Sequence, residues 1–343
     1  MSSNNSQKLN AVDLFAGIGG MRMGFEQAGF EIVYSNDIDS HACKTYRENF
    51  GDIDERDICK VKTDELPDDF DVLLAGFPCQ PFSMIGKRDG LNDPRGHLFH
   101  EIVRILNDKT PRAFLLENVK HLTRHNGGET FAFIKKLLEN AGGGYTISPA
   151  ILNSKNFGVP QKRERIYIVG IKKPSSEFQF PERKKYAHQK SVKDILENNV
   201  PERYYLSERY YTGLLKHKER HHNKGSGFGC AVLDPDGISN TLVCGNMGRE
   251  RNLIQDTPNK KNRWGIRALT PRECARLQGF PDSFKIAVPL TQAYKQFGNA
   301  VTVPVVKEIA QELKKYLATH PTGKRVLIQP YETKISNKAA IFS

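Results

Sequence analysis

The sequence has no apolar run near the roughly 18 residues that a membrane-spanning helix needs, which excludes an integral membrane protein of the helical kind. The segment from Met1 to Asn10 is polar, unlike a secretory signal, so we expect a cytoplasmic protein of bacterial type.

The six cysteines form no CxxC pair and no disulfide-dense pattern. This spacing disfavours a structural metal site and favours reduced thiols over bridges.

Positive charge is what the chain has in excess, with 51 Lys and Arg against 39 Asp and Glu and a formal net charge of +12. Such an excess is typical of a protein with a polyanionic partner, of which nucleic acid is one class. The 343 residues are enough for two domains, or for one domain that carries an insertion.

The apolar run at residues 72 to 75 predicts a strand buried on both faces, and Gly76 and Pro78 end it. Cys79 follows directly, so we expect it at the carboxyl edge of an α/β sheet, where such folds bind ligands. From this stretch alone, a cysteine that merely packs in the core is equally consistent.

A glycine-rich turn at residues 16 to 20 separates a predicted strand at 11 to 15 from a predicted helix that reaches about residue 28. Glycines there would let a ligand approach the amides that begin the helix. Arg22 stands where the dinucleotide fingerprint needs its third glycine, which disfavours a pyrophosphate ligand. Asp37 ends the next predicted strand, about 20 residues on, where such folds place an acid on a ribose. Asp39 suits better the cap of the following helix.

Two further acids follow predicted strands. Asp57 comes after a charged turn near a third strand end, and Glu117 follows the apolar strand at 113 to 116. His121 and His125 have helical spacing, but no third ligand is nearby and we expect no metal there. Other apolar stripes predict helices at 40 to 49, 98 to 106 and 303 to 317.

Two stretches are rich in basic residues. Residues 84 to 96 combine Gly, Lys, Arg, Asp and Asn, which predicts a long loop that closes over a site as a lid. After about residue 172, aromatic residues alternate with Lys, Arg and His, which predicts a basic, loop-rich insertion suited to phosphate contacts. A solvated face would show the same run of charges.

Five short motifs, in this order, resemble those of the DNA cytosine-5 methyltransferases. They are Asp-Leu-Phe-Ala-Gly-Ile-Gly-Gly from 13, Gly-Phe-Pro-Cys-Gln from 76, Glu-Asn-Val from 117, Gln-Lys-Arg-Glu-Arg from 161 and Gln-Phe-Gly-Asn from 296. The resemblance spans about residues 11 to 317. It implies an α/β fold with a doubly wound mixed sheet, S-adenosylmethionine as methyl donor, no metal, and an inserted target-recognition domain. We predict a catalytic domain at 1–194 and 267–343 and the target-recognition domain at 195–266.

The resemblance also assigns catalytic roles. Cys79 becomes the nucleophile, whose thiolate adds to carbon 6 of a cytosine flipped out of the duplex. Glu117 becomes the acid at ring nitrogen 3, with Arg165 steadying it and Arg163 in the same catalytic group. The sequence does not identify the base that removes the proton from carbon 5.

Cofactor residues follow from the matching positions. These are Phe15, Gly17, Gly19, Gly20, Asp37, Ile38, Asp57, Ile58, Pro78, Asn299 and Val301. Many members of the family carry Glu where Asp37 stands and Trp where Ile38 stands. This departure predicts weaker donor binding with activity retained.

The segment from 203 to 254 resembles the recognition segment of bacterial restriction-modification methyltransferases that modify CCGG. The predicted DNA-binding residues are Ser83, Ile85, Lys87, Arg88, Thr241, Arg249 and Arg251. Arg249 and Arg251 suit guanine reading, and phosphate or carboxylate contacts suit them equally. We expect a monomer that acts on double-stranded DNA of the nucleoid, with a cognate restriction endonuclease as a functional partner that need not touch it.

Competing functions make different demands on the same residues. A catalytically idle DNA-binding relative would not need Cys79, Glu117 and Arg165 intact, and a tRNA cytosine-5 methyltransferase would not need the long basic insertion. Arg22 disfavours a nicotinamide oxidoreductase. Phe82 stands at the second cysteine position of the zinc deaminase signature and disfavours that class.

Overall fold

The computed structural model describes residues 8–78, 97–174, 176–182, 190–226, 229–245 and 249–320. Several predicted site residues lie outside these ranges: Cys79, Ser83, Ile85, Lys87, Arg88 and the rest of the predicted lid.

A six-stranded mixed sheet forms the centre of the protein. Its strands are β1 (Asn10–Leu14), β2 (Glu31–Asn36), β3 (Val72–Gly76), β4 (Ala113–Val119), β5 (Tyr145–Asn153) and β6 (Glu164–Lys172). The order across the sheet is β2-β1-β3-β4-β6-β5, and the first four strands are parallel while β6 runs antiparallel to β4 and β5. The chain order reverses beside β1, which creates the crevice where doubly wound sheets bind ligands.

Helices pack on both faces of this sheet and continue into the part of the chain beyond it. They are α1 (Gly20–Gln27), α2 (Ser40–Phe50), α3 (His97–Lys109), α4 (Glu129–Asn140), α5 (Glu208–Asn223), α6 (Pro271–Leu277), α7 (Leu290–Asn299) and α8 (Val303–Thr319). Leu73 and Ala75 of β3 pack into the cluster that contains α3 and α4, whereas Val72 and Leu74 pack with α1 and α8. The continuous apolar run is thereby explained, because both faces of β3 are buried. The predicted doubly wound mixed sheet is confirmed.

Local signals fix most element boundaries. The Asp39 side chain caps α2 by accepting from the backbone N–H of His41 and Ala42, as predicted. The Thr270 side chain caps α6 by accepting from the backbone N–H of Glu273, and proline occupies the first turn. Gly19 precedes α1 with φ 84°, and a Cβ there would lie 2.2 Å from the Phe50 ring, so this turn requires glycine.

Two elements differ from the sequence-based expectation. The strand expected near Asp57 is reduced to one bridge between Asn36 and Asp54, because the surrounding acidic and basic residues have little β propensity. The second difference is in β4, which continues through Glu117 to Val119 because β6 pairs with it along its whole length. Glu117 therefore lies on a strand rather than in a loop.

The part of the chain after residue 190 adds α5 and a two-stranded sheet of β7 (Leu253–Gln255) and β8 (Ile266–Ala268). A small cluster holds this part together, with Leu206, Leu214 and Leu253 among its members. A larger cluster crosses the predicted domain boundaries. It joins Leu233, Leu242 and Ile254 to Leu277, Phe297 and Val303.

None of the described helices combines the length and the apolar character that crossing a bilayer requires.

Candidate active site

The carboxyl ends of β3 and β4 lie side by side, with Gly76 in register with Glu117. The buried side chain of Asn118 donates from Nδ2 to the Phe77 carbonyl at 2.9 Å. This bond fixes the backbone that leads through the exposed Pro78 to position 79. The described part of this segment therefore ends next to the carboxyl end of β4, the strand that carries Glu117.

Glu117 forms an ion pair with Arg165, with Arg165 Nε 3.2 Å from Glu117 Oε1. Adjacent strands position the pair, because Arg165 of β6 is in register with Val119 of β4. Burial raises the pKa of Glu117, and the positive charges of Arg165 and Arg163 offset part of that rise. A carboxyl in this setting holds its proton more readily than a surface glutamate does, which suits a general acid.

Arg163 is buried and donates to three backbone carbonyls. Its Nη1 lies 2.7 Å from the Leu242 oxygen, and its Nη2 lies 3.1 Å from Gly298 O and 2.8 Å from Ala300 O. Burial and the neighbouring Arg165 charge lower the pKa of Arg163. These contacts make Arg163 a positioning residue that joins the inserted part to the end of α7. Its predicted place in the catalytic group stays a prediction.

The glycine turn and Asp37 form one unit. Asp37 Oδ2 accepts from the Gly17 amide at 2.8 Å and Oδ1 accepts from the Asp39 amide at 2.8 Å. Burial raises the pKa of Asp37, and these backbone bonds lower it in part. Next to Asp37, Ile38 is 65% exposed and presents an apolar surface at this edge of the sheet. Asp37 thus shapes the turn, and each of its oxygens has a remaining lone pair for a ligand.

The other predicted cofactor residues surround this edge. Phe15 is half-buried and has a positive φ of 54°. Asp57 caps a short helical turn by accepting from the Cys59 amide at 3.0 Å, and Ile58 is buried beneath it. Asn299 is exposed at the end of α7. Val301 is packed so closely against Gly20 that a Cβ at Gly20 would lie 2.8 Å from Val301 Cγ2.

Asp13 is a residue of this site that the sequence analysis did not single out. It is 0% exposed in β1, no described side chain donates to its carboxyl, and the backbone amide of Arg22 is the polar group beside it. Burial raises the pKa of Asp13 to about 8, and nearby Arg22 offsets part of the shift. An aspartate inside an otherwise apolar strand, four residues before Gly17, was the available signal.

The pKa of Asp13 leads to a prediction for the Asp13→Asn variant without cofactor. Between the ordinary pKa of 3.8 and about 8, the folded chain holds a proton that the unfolded chain has released. Stability of the wild type therefore falls as pH rises through this window, whereas asparagine does not titrate. The Tm of the variant relative to the wild type is expected to increase from pH 5 to pH 8 and then level off, as scanning calorimetry can measure. Parallel curves of Tm against pH for the variant and the wild type would contradict this prediction. The control is Asp52→Asn, which changes an exposed aspartate.

A buried glutamine pair connects the site to the inserted part. Gln161 donates from Nε2 to Leu277 O at 3.0 Å and to Gln278 Oε1 at 3.2 Å, while its Oε1 accepts from the Leu242 amide at 2.9 Å. Gln278 in turn donates from Nε2 to Phe297 O at 2.7 Å. The network therefore fixes Leu242 relative to the end of α7, alongside the Arg163 bonds.

Removing one glutamine tests this connection. Gln161→Ala is expected to lower the free energy of unfolding by about 1–3 kcal/mol for each buried partner left unsatisfied. Urea titration measures the loss, and exposed Gln27→Ala serves as the control with little change. Equal stability of the two variants would show that the network contributes nothing.

The predicted DNA-binding residues that the structure describes lie near this network. Thr241 Oγ1 donates to Lys162 O at 2.6 Å, so this side chain is already bonded. The guanidinium carbon of Arg249 lies 5.0 Å from the centre of the Tyr294 ring. Arg251 is exposed. Of these three, Arg249 lies nearest to α7, because Tyr294 is part of that helix.

We searched the residues that the structure describes for side chains that could bind a metal ion. No group of three or more His, Cys, Asp and Glu that could hold an ion occurs there. His121 and His125 place their ring centres 6.0 Å apart. The site is therefore one of carboxylates, arginines and a glycine turn.

Comparisons of sequence give a consistent result. A family model described as C-5 cytosine-specific DNA methylase matches residues 9–315. The type II methyltransferase M.HpaII of Haemophilus parainfluenzae is 47% identical over 329 residues, covering 92% of this chain and 91% of that protein. The type II methyltransferase M.DsaV of Dactylococcopsis salina is 42% identical over 314 residues, covering 91% and 87%.

Solved structures share the fold. The S. pombe Dnmt2 methyltransferase matches with a TM-score of 0.73 and 24% identity, covering 91% of this chain and 99% of that one. A putative prophage DNA modification methyltransferase from E. coli matches with a TM-score of 0.65 and 24% identity, covering 91% and 100%.

Proposed function

Because the chain belongs to the C-5 cytosine-specific DNA methylase family, as its five motifs predicted, we propose that it methylates carbon 5 of a flipped cytosine through a covalent adduct of Cys79. The observation that carries the proposal is the buried Glu117–Arg165 pair beside the anchored Phe77 carbonyl. It supplies an acid at the point where the nucleophile's segment begins.

The chemistry follows from the needs of the cytosine ring. The Cys79 thiolate forms a bond to carbon 6, and Glu117 gives its proton to ring nitrogen 3, so electron density moves to carbon 5. Arg165 holds the Glu117 carboxyl in place through the 3.2 Å contact. Once carbon 5 carries the methyl group, a base takes the carbon 5 proton, the thiolate leaves carbon 6, and ring nitrogen 3 returns its proton to Glu117. The flipped position is required because a stacked base hides its faces.

The edge around the glycine turn fits S-adenosylmethionine, which supplies an electrophilic methyl group when bound. Gly17 would receive the methionine part, since a Cβ there would meet no atom within 4 Å. Ile38 offers an exposed apolar surface for the adenine. Asp37 retains lone pairs for the ribose hydroxyls.

We further propose that target choice belongs to the inserted part, with CCGG as the sequence and Arg249 and Arg251 as contacts to its guanines. Such an enzyme would work as a monomer on nucleoid DNA in a bacterial cytoplasm, protecting the sites that a cognate endonuclease cuts. The type II methyltransferases of Haemophilus parainfluenzae and Dactylococcopsis salina support this restriction-modification role.

Bisulfite sequencing tests activity, target base and sequence context together. The chain is expressed in a bacterial host that lacks cytosine methylation, and genomic DNA and tRNA are converted in parallel. We expect one cytosine within one short DNA sequence to resist conversion at nearly every occurrence. Complete conversion of the DNA would contradict the proposal, and protection confined to tRNA would favour the tRNA-modifying alternative.

A further inference from the structure

A groove with a volume of about 290 Å³ lies between α5, the segment that follows residue 249, and α7. Three cationic side chains line it, Arg203, Arg249 and Lys261. We call it the cationic groove. Its acidic lining residue, Glu250, accepts a hydrogen bond from Tyr210 Oη at 2.5 Å. The balance of charge in the lining is therefore positive, which complements a phosphodiester.

Aromatic rings hold two of the cations. The Arg203 guanidinium carbon lies 5.1 Å from the centre of the Tyr204 ring, and that of Arg249 lies 5.0 Å from the centre of the Tyr294 ring. Stacking of this kind orients a guanidinium while leaving its charge intact. Lys261 is also restrained, because its Nζ donates to the Glu202 carbonyl at 3.3 Å. The cations are thus pre-positioned around the groove.

The cationic groove adjoins the buried network around Arg163. Arg249 and Tyr294 also line a smaller pocket together with Leu242 and Gly298, whose carbonyls accept from Arg163. The cationic groove and the pocket beside the Arg163 contacts therefore share two lining residues. Because the groove also has apolar lining from Leu206 and Leu253, it suits a deoxyribose as well as a phosphate.

We propose that the cationic groove binds the sugar–phosphate backbone of the DNA next to the target sequence, with Arg203 and Lys261 each neutralising one phosphate. This inference rests on the proposed action on duplex DNA. The groove holds the duplex whatever its sequence, because the sugar–phosphate backbone carries no sequence information. Base reading belongs to other residues of the inserted part.

The test is the salt dependence of binding to a 30-base-pair duplex that lacks the methylated sequence. Fluorescence anisotropy gives Kd for the full chain between 50 and 200 mM salt. Each lost phosphate contact reduces the slope of log K against log salt by about 0.9. The double variant Arg203→Gln with Lys261→Gln loses two contacts. When the salt is raised fourfold, its Kd should therefore increase by a factor about 12-fold smaller than the increase in the wild-type Kd.

Two matched variants make the result specific. Lys135→Gln with Lys136→Gln removes the same charge from α4, which packs against β5, and should leave the slope unchanged. Arg203→Lys with Lys261→Arg keeps the charge and should retain most of the wild-type slope. Thermal melting shows that each variant is folded.

The outcomes separate this inference from the proposed function. If the wild type binds DNA and the Gln double variant shows the same slope as the α4 control, the cationic groove does not bind phosphates. A loss of affinity seen only on duplexes that contain the target sequence would also overturn the inference. It would mean that Arg203 and Lys261 contact bases and not the backbone. If the wild type binds no duplex at all, the proposed function itself fails.

Discussion

Cys79→Ser is expected to abolish methyl transfer to DNA, with turnover reduced on the order of 10⁴-fold or more, the scale seen when an enzyme loses its nucleophile. A serine hydroxyl is hardly ionised near neutral pH, so it cannot add to carbon 6 as the thiolate does. Transfer of a radiolabelled methyl group to duplex DNA measures the loss. DNA binding should persist, because the substitution exchanges one sulfur atom for an oxygen and leaves the rest of the chain unchanged.

Covalent trapping makes this result specific. A duplex with 5-fluorocytosine at the target should form a denaturation-resistant complex with the wild type and none with Cys79→Ser. Cys59→Ser is the control, because Cys59 is an exposed cysteine outside the predicted catalytic group. A complex formed by Cys79→Ser, or measurable turnover by it, would rule out the proposed nucleophile.

Glu117→Gln is expected to lower kcat by about 10²–10⁴-fold with little change in the KM for DNA. Glutamine keeps the shape and an oxygen for Arg165, but it has no proton to give to ring nitrogen 3. Because burial raises the pKa of Glu117 and the protonated form is the active one, wild-type kcat should fall as pH rises through that raised pKa.

A pH series separates the chemical role from a structural one. The alkaline decline should disappear in Glu117→Gln, whereas exposed Glu139→Gln should follow the wild type throughout. A uniform loss of activity with the decline retained would mean that Glu117 only supports the fold. Unchanged kcat would remove it from the mechanism.

The sequence predicted the sheet well because its signals are local. The run from Val72 to Ala75 is apolar at every position, and both faces of β3 are buried as that pattern indicates. Asp39 was readable as a helix cap for the same reason. The placement of Glu117 at the edge of the sheet followed from the apolar strand before it.

Long-range partners were not predictable in the same way. Arg163 bonds to carbonyls 79 and 135 residues further along the chain, and a backbone carbonyl leaves no trace in residue identity. For the same reason, the sequence did not reveal that backbone amides donate hydrogen bonds to both Asp37 oxygens. Asp13 was missed because a charged residue in a strand ordinarily points to solvent, and here the strand is central.

The core cluster that crosses the predicted domain boundaries limits how such enzymes can acquire new specificities. Leu233, Leu242 and Ile254 belong to the part expected to choose the DNA target, yet they complete the packing around Phe297 beside the catalytic centre. A recognition segment exchanged between relatives must bring matching apolar residues at these three positions. Inheritance of a new target by recombination is therefore restricted to donors whose segment already fits this core.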